Sequence, residues 1–119
     1  MKNILIVENE EALREILTEE LNQEDYQIFQ ASNGVECLDI VKKEHIDLIL
    51  LDLAMPVMTG LEAIKELKTM EESPSVIVLS NKEDLETLSE ILSFHVFRYL
   101  IKADHSLQEI SEIVKQALK

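Results

Sequence analysis

Three short, unbroken apolar runs punctuate the chain: Ile4 to Val7, Leu48 to Leu51 and Val76 to Leu79. Runs of this length, rich in branched residues and free of polar alternation, suit strands buried on both faces of a parallel sheet. Tyr26 to Phe29 alternates more and predicts a strand nearer an edge, and Phe97 to Ile101 predicts a last strand. Between these runs the apolar positions recur at helical spacing. Leu13, Ile16, Leu17 and Leu21 share one face, as do Val35, Leu38 and Val41. The same holds for Leu61, Ile64 and Leu67, for Leu85, Leu88 and Leu92, and for Leu107, Ile110, Val114 and Leu118. A strand followed by a helix, repeated five times, predicts a doubly wound α/β domain, because parallel strands need right-handed crossovers. Asn33-Gly34 and Thr59-Gly60 mark turns into the second and third helices, and Glu71 to Pro74 marks the loop before the fourth strand.

The 119 residues amount to one domain over 1–119, with no output domain expected. The 24 Asp and Glu outweigh 11 Lys and Arg, giving a net charge of -13. Such a surface repels nucleic acid and anionic membranes and favours basic partners and cations. A single cysteine, Cys37, excludes an internal disulfide and fits a reducing, cytoplasmic setting; on a helix it reads as a small packing residue. No apolar run approaches the ~20 residues of a membrane span. Met1-Lys2-Asn3 leads straight into an apolar run and then into acids, which is not the pattern of a signal peptide. His45, His95 and His105 lack metal-ligand spacing and read as surface or loop residues.

Open parallel sheets bind ligands outside the carboxyl ends of their strands. Those ends carry Glu8-Asn9-Glu10 after the first strand, Asp52 after the third, Ser80-Asn81 after the fourth and Lys102 after the fifth. Crowded carboxylates attract a divalent cation, and Mg²⁺ takes oxygen ligands and bridges carboxylates to phosphate. A carboxylate beside such a metal can act as nucleophile and become an aspartyl phosphate, with a hydroxyl and a Lys holding the phosphoryl oxygens. The bland alternatives are a helix cap for Asp52, Ser80 or Glu8-Asn9, a surface lysine for Lys102 and plain core for Tyr99.

The segments Leu48-Ile-Leu-Leu-Asp52-Leu-Ala-Met-Pro56-Val-Met-Thr-Gly60, Val76-Ile-Val-Leu-Ser80 and Tyr99-Leu-Ile-Lys102 resemble a bacterial response-regulator receiver domain over essentially the whole chain. The resemblance implies a flavodoxin-like, five-stranded sheet of order 2-1-3-4-5 flanked by five helices. It implies that Asp52 is the phosphoacceptor in a two-component phosphorelay. It makes Ser80 and Lys102 the phosphoryl-binding hydroxyl and ammonium, and Tyr99 the aromatic switch on the face of the fourth helix, fifth strand and fifth helix. It makes Glu8, Asn9, Asp52 and the Ala54 backbone carbonyl the Mg²⁺ ligands. The implied partners are a sensor histidine kinase or phosphotransfer protein and a downstream protein target, with Phe94, Val96 and Phe97 near the output face. No enzyme activity on external substrates is expected.

Three departures from the family pattern stand out. Glu8-Asn9 replaces two adjacent Asp, so Mg²⁺ binding is expected to be weaker, Asn9 offering only a neutral carbonyl oxygen; Glu10 is expected to point elsewhere. Ala103 follows Lys102 where Pro is usual, so a trans bond, a shifted loop and a displaced ammonium are expected, a cis bond before a non-proline costing ~2.5–4 kcal/mol. Asn81 is bulkier than usual and is expected to restrict access. Two alternatives follow: a degenerate receiver acting as a phosphorylation-independent interaction module and, more remotely, a small phosphohydrolase with an Asp nucleophile. Against the latter, Ala54 supplies no second acid. Flavin and dinucleotide sites are disfavoured by the acidic first loop and by the lack of Gly-x-Gly-x-x-Gly.

Overall fold

The computed structural model describes residues 1–23, 25–81 and 85–119, with the side chains of Leu85 and Glu86 outside that description. Strands β1 (Lys2–Val7), β2 (Tyr26–Ala31), β3 (Leu48–Asp52), β4 (Ser75–Ser80) and β5 (Arg98–Ile101) pair in parallel in the order β2-β1-β3-β4-β5. Helices α1 (Glu11–Leu21), α2 (Gly34–Lys43), α3 (Gly60–Leu67), α4 (Leu85–Leu92) and α5 (Leu107–Ala117) form the crossovers. The chain winds outward from β1 to β2 and then returns to place β3 on the other side of β1. The carboxyl ends of β1 and β3 therefore flank the point where the winding direction reverses, which is where such sheets bind ligands.

The period-2 alternation of the strands divides the core into two apolar layers. Ile4, Ile6, Leu48, Leu50, Ile77, Leu79 and Leu100 face α1 and α5 and meet Leu17, Leu21, Ile110, Ile113 and Val114. Leu5, Val7, Ile49, Leu51, Val76 and Val78 face the other way, against Cys37, Leu38, Ile64, Leu67 and Ile91. Every residue of β3 is buried, as its unbroken apolar run predicts. Tyr26 to Phe29 does lie in an edge strand, and of β2 only Ala31 is fully buried. Cys37 is a packing residue whose burial pushes its thiol up to about 12.

Three helical positions depart from the expected faces. Ile16, Val35 and Leu92 are exposed. Each stands at the margin of an apolar stripe wider than the strip its helix lays on the sheet. On α4 the inward residue is Ile91, one position before Leu92, while Leu85 falls outside the described side chains.

The helix starts follow local chemistry. The Asn33 side chain accepts from the Glu36 N–H at 2.9 Å. Thr59 with Glu62, and Ser106 with Glu109, form reciprocal capping boxes at the starts of α3 and α5. Thr59, rather than Asp52, caps α3, so Asp52 is not a helix cap. The reading of Ser80 as a cap of α4 falls on 82–84, outside the described residues. No cis peptide occurs among the described residues, so the Lys102–Ala103 bond is trans, and Lys102–Asp104 form a 3-10 turn.

Candidate functional site

Four strand ends deliver the predicted polar side chains to one edge of the sheet. Glu8 and Asp52 are only 2% and 3% exposed, which is rare for carboxylates unless something compensates them. The compensation is Lys102. Its Nζ donates to Glu8 Oε1 at 2.8 Å and lies 3.2 Å from Asp52 Oδ1. With the Lys102–Ala103 bond trans, the stem of Lys102 still carries Nζ to both acids. The Ala54 N–H donates to Asp52 Oδ1 at 3.4 Å, and the Glu10 N–H donates to Glu8 Oε2 at 3.1 Å.

Asn9 completes the ring. Its terminal amide is surrounded by Asp52 Oδ2, the Ala54 carbonyl and Glu8 Oε2. With the nitrogen turned inward, as three acceptors demand, it donates to them at 3.3, 3.3 and 3.2 Å. Glu8, Asn9, Asp52 and the Ala54 carbonyl, the four groups expected to hold a cation, thus converge on one point. All can present oxygen, the donor type that Mg²⁺ requires. Among the described residues no group of three or more His, Cys, Asp and Glu is placed to hold a metal, because Asn9 stands where a third acid would complete the set. Glu10 is exposed and makes no side-chain cap to α1.

The two carboxylates and one ammonium leave the pocket one charge short of neutrality. Burial raises the Asp52 carboxyl above the ordinary aspartate range, and the nearby Glu8 charge raises it further; Lys102 only partly offsets both. Burial opposes the charge on Lys102, yet the Glu8 hydrogen bond and the two carboxylates outweigh it and raise the ammonium's pKa. An acid that is reluctant to stay charged, fixed beside a cation, is an arrangement suited to accepting an electrophile.

Ser80 ends β4, buried beside the end of β3, where the Leu53 N–H donates to the Leu79 carbonyl at 3.2 Å. From Ser80 a groove of about 380 Å³ runs past Ala54, Thr59, Leu61 and Thr87 to Tyr99. The Tyr99 hydroxyl is buried without a hydrogen-bond partner among the described residues, while its ring packs against the core layer of Val78 and Ile91 and lines the groove. Asn81 lines the groove and is exposed.

Two features escape a reading of the sequence alone. Arg14 Nη1 donates to the Glu8 carbonyl at 2.7 Å and pins the end of β1; an arginine in the first turn of a helix otherwise full of acids is the available signal. Val57 has φ 69°, and the Met58 N–H donates to the Pro56 carbonyl at 2.7 Å, making a three-residue turn around it. A β-branched residue there is strained by ~1–3 kcal/mol. Val57→Gly is expected to stabilise the domain by about 1 kcal/mol, after subtracting the ~0.5–1 kcal/mol of backbone entropy that glycine loses. The check is a higher urea midpoint at unchanged slope; a lower midpoint would show that the exposed isopropyl group makes a contact worth more than the strain.

The family model described as the response regulator receiver domain matches residues 4–115. Sporulation initiation phosphotransferase F of Bacillus subtilis is 38% identical over 117 residues, covering 98% of this chain and 94% of its own. Regulatory protein AtoC of Escherichia coli is 33% identical over 119 residues, but the chain spans only 26% of that relative's length. Among solved structures, a CheY-like response regulator receiver domain protein from Methanospirillum hungatei superposes with a TM-score of 0.92 at 24% identity, over 99% of this chain and 94% of the other, a likeness of fold.

Proposed function

The chain belongs to the response regulator receiver domain family, and from that premise we propose that it is a phosphoryl-accepting switch, with Asp52 the acceptor. The observation that carries the proposal is the buried Asp52 carboxylate, paired at 3.2 Å with Lys102 and flanked by Glu8 at the reversal of the sheet winding. The similarity to a protein named a phosphotransferase supports it.

A carboxylate oxygen of Asp52 attacks the phosphorus of a phosphohistidine on a sensor kinase or phosphotransfer protein, or of a small acyl phosphate. The new O–P bond forms as the bond from phosphorus to the imidazole nitrogen or acyl oxygen breaks, and the departing group keeps the electron pair. Lys102 pairs with one phosphoryl oxygen and the Ser80 hydroxyl donates to another. Mg²⁺, held by Glu8, Asn9, Asp52 and the Ala54 carbonyl, supplies further charge neutralisation when bound. The modification adds about one to two negative charges to a confined pocket. Drawing Ser80 toward them vacates the adjoining groove, and Tyr99, whose hydroxyl has no partner in the described arrangement, turns into it. The surface of α4, β5 and α5 changes with it, and Phe97, 43% exposed, offers a contact for a downstream protein. The domain works as an acceptor in the cytoplasm rather than turning over external substrates. Among the described residues no helix is long and apolar enough to cross a membrane.

A second reading, a phosphorylation-independent interaction module, is favoured by one observation: a neutral amide at Asn9 in the acid ring. Incubation with Mg²⁺ and acetyl phosphate distinguishes the two. The expected result is one phosphoryl group per chain by mass, none in Asp52→Asn, and beryllofluoride-induced shifts at Ser80 and Tyr99. Labelling that survives in Asp52→Asn moves the acceptor elsewhere. No labelling from either a small donor or a partner kinase leaves the interaction module.

A further inference from the structure

Asn9 is surrounded in a way that few exposed amides are. The inward atom of its amide lies 3.2 to 3.3 Å from three oxygens supplied by two separate segments, the end of β1 and the end of β3 with its loop. An amide oxygen at that point meets nothing but acceptors, whereas an amide nitrogen brings two N–H donors to them. Oxygens brought together around one point also make the setting a small divalent cation requires, with ligands ~2.0–2.6 Å from the ion. A cation held by these oxygens would sit beside the inward amide atom rather than at its position, so the cluster can be closed either by the amide's N–H donors or by an ion that the amide oxygen helps to hold. Turning the terminal sp³–sp² torsion of Asn9 exchanges its nitrogen for its oxygen without moving the backbone, and that torsion has a broad, two-fold profile.

We infer that the Asn9 amide is a two-position cation gate. Nitrogen inward, it ties Glu8, Asp52 and the Ala54 carbonyl together and takes the cation's bridging role. Oxygen inward, it becomes a ligand itself. The inference rests on the Mg²⁺ part of the function proposed above, and deepens it: a cation entering this pocket must displace the amide's two N–H donors, shared among three acceptors, which an aspartate at position 9 could not supply. The pocket consequently tolerates scarce magnesium and binds it weakly, a trade set by one side chain. An aspartate would reverse the trade, adding a third carboxylate that repels Glu8 and Asp52 until a cation arrives.

The test uses the full chain with MgCl₂ alone and no phosphodonor, so its outcome is independent of whether Asp52 is phosphorylated. In chelator, the melting temperature should fall in the order wild type, Asn9→Ala, Asn9→Asp. In saturating MgCl₂, Asn9→Asp should draw level with or pass wild type, and its affinity for Mg²⁺ should be about tenfold tighter. In ¹⁵N-labelled protein, the Asn9 side-chain NH₂ signal should sit downfield in chelator. It should move toward the position of the solvent-facing Asn22 with the same half-saturation as the Ala54 backbone amide. Asn9→Ala as stable as wild type in chelator would overturn the gate. So would Mg²⁺ that shifts Ala54 while the Asn9 NH₂ stays put; that outcome would leave the metal site standing. Mg²⁺ that shifts no signal in wild type or in Asn9→Asp would overturn the gate and the metal site together.

Discussion

Lys102→Met is expected to destabilise the domain by about 3 kcal/mol at neutral pH and to slow phosphoryl uptake by Asp52 at least about a hundredfold. Methionine keeps most of the stem volume but removes the charge that Glu8 and Asp52 share at 2.8 and 3.2 Å. Two carboxylates, each at most 3% exposed, are then left facing one another without a counter-ion. Removing one partner of a buried charge set costs far more than the intact set contributes, because the remaining charge stays desolvated. The pH dependence has a definite sign. The Asp52 carboxyl is already raised by burial and by Glu8, and losing the ammonium raises it further. A carboxyl raised in the folded state favours folding while protonated and loses that contribution as pH rises through the folded value. The gap between wild type and variant should therefore be widest near pH 7–8 and shrink toward acid. It should narrow again in strong alkali. The raised folded-state pKa of Lys102 means that its contribution is complete below the ordinary lysine range of ~10 and fades as pH climbs through the folded value. Urea melts across pH measure this directly. A variant equally destabilised at every pH would show that the stem, not the charge, matters.

Gly60→Ala should unsettle both stability and acceptor geometry. A Cβ at Gly60 would lie 2.7 Å from the Asp52 carbonyl and 2.7 Å from the Leu53 Cα, both backbone atoms that cannot rotate away. The Gly60 N–H also donates to the Leu53 carbonyl at 3.0 Å, so the start of α3 is sewn to the end of β3. Relief requires moving one from the other, at about 2 kcal/mol for overpacking of this kind. That corresponds to a fall on the order of 10 °C in melting temperature for a domain of this size. The displacement falls on Asp52, the proposed acceptor, so labelling by acetyl phosphate should slow as well. Gly34→Ala is the comparison: the atoms nearest its Cβ would be Met58 Cγ, Cβ and Sδ, at 2.8, 2.9 and 2.9 Å, so relief there moves Met58 rather than the backbone of Asp52 and Leu53. Equal losses in the two variants would mean that backbone rigidity at Gly60 is not the cause.

What the sequence disclosed and what it withheld divide along physical lines. The alternation of buried parallel strands and helices follows from apolar runs too continuous to face water, together with the handedness of crossovers, whereas the order 2-1-3-4-5 is legible only through the family resemblance. Asp52 and Lys102 are legible because a polar residue ending such a run must emerge at the ligand-binding edge. Their mutual distance is not, nor is the persistence of the contact despite Ala103, because it depends on how a long flexible stem settles after a trans turn. Asn9 reads in sequence as a deficit, a missing charge. Only the placement of three oxygens around it reveals donors at work. Val57 is opaque for the opposite reason: its side chain argues against the backbone conformation it adopts. Ile16, Val35 and Leu92 satisfy helical periodicity and still face outward, since periodicity gives the direction of a stripe but not its width.

The division of the core into two layers bears on how a partner senses the domain. α4 leans on one layer through Ile91, and α5 leans on the other through Ile110 and Val114. β5, last in the sheet, is the seam where both come to the surface, with Tyr99 facing one layer and Leu100 the other. A protein gripping α4 and α5 together would thus straddle that seam like a caliper, registering small slides of one half of the molecule against the other that neither helix could report alone.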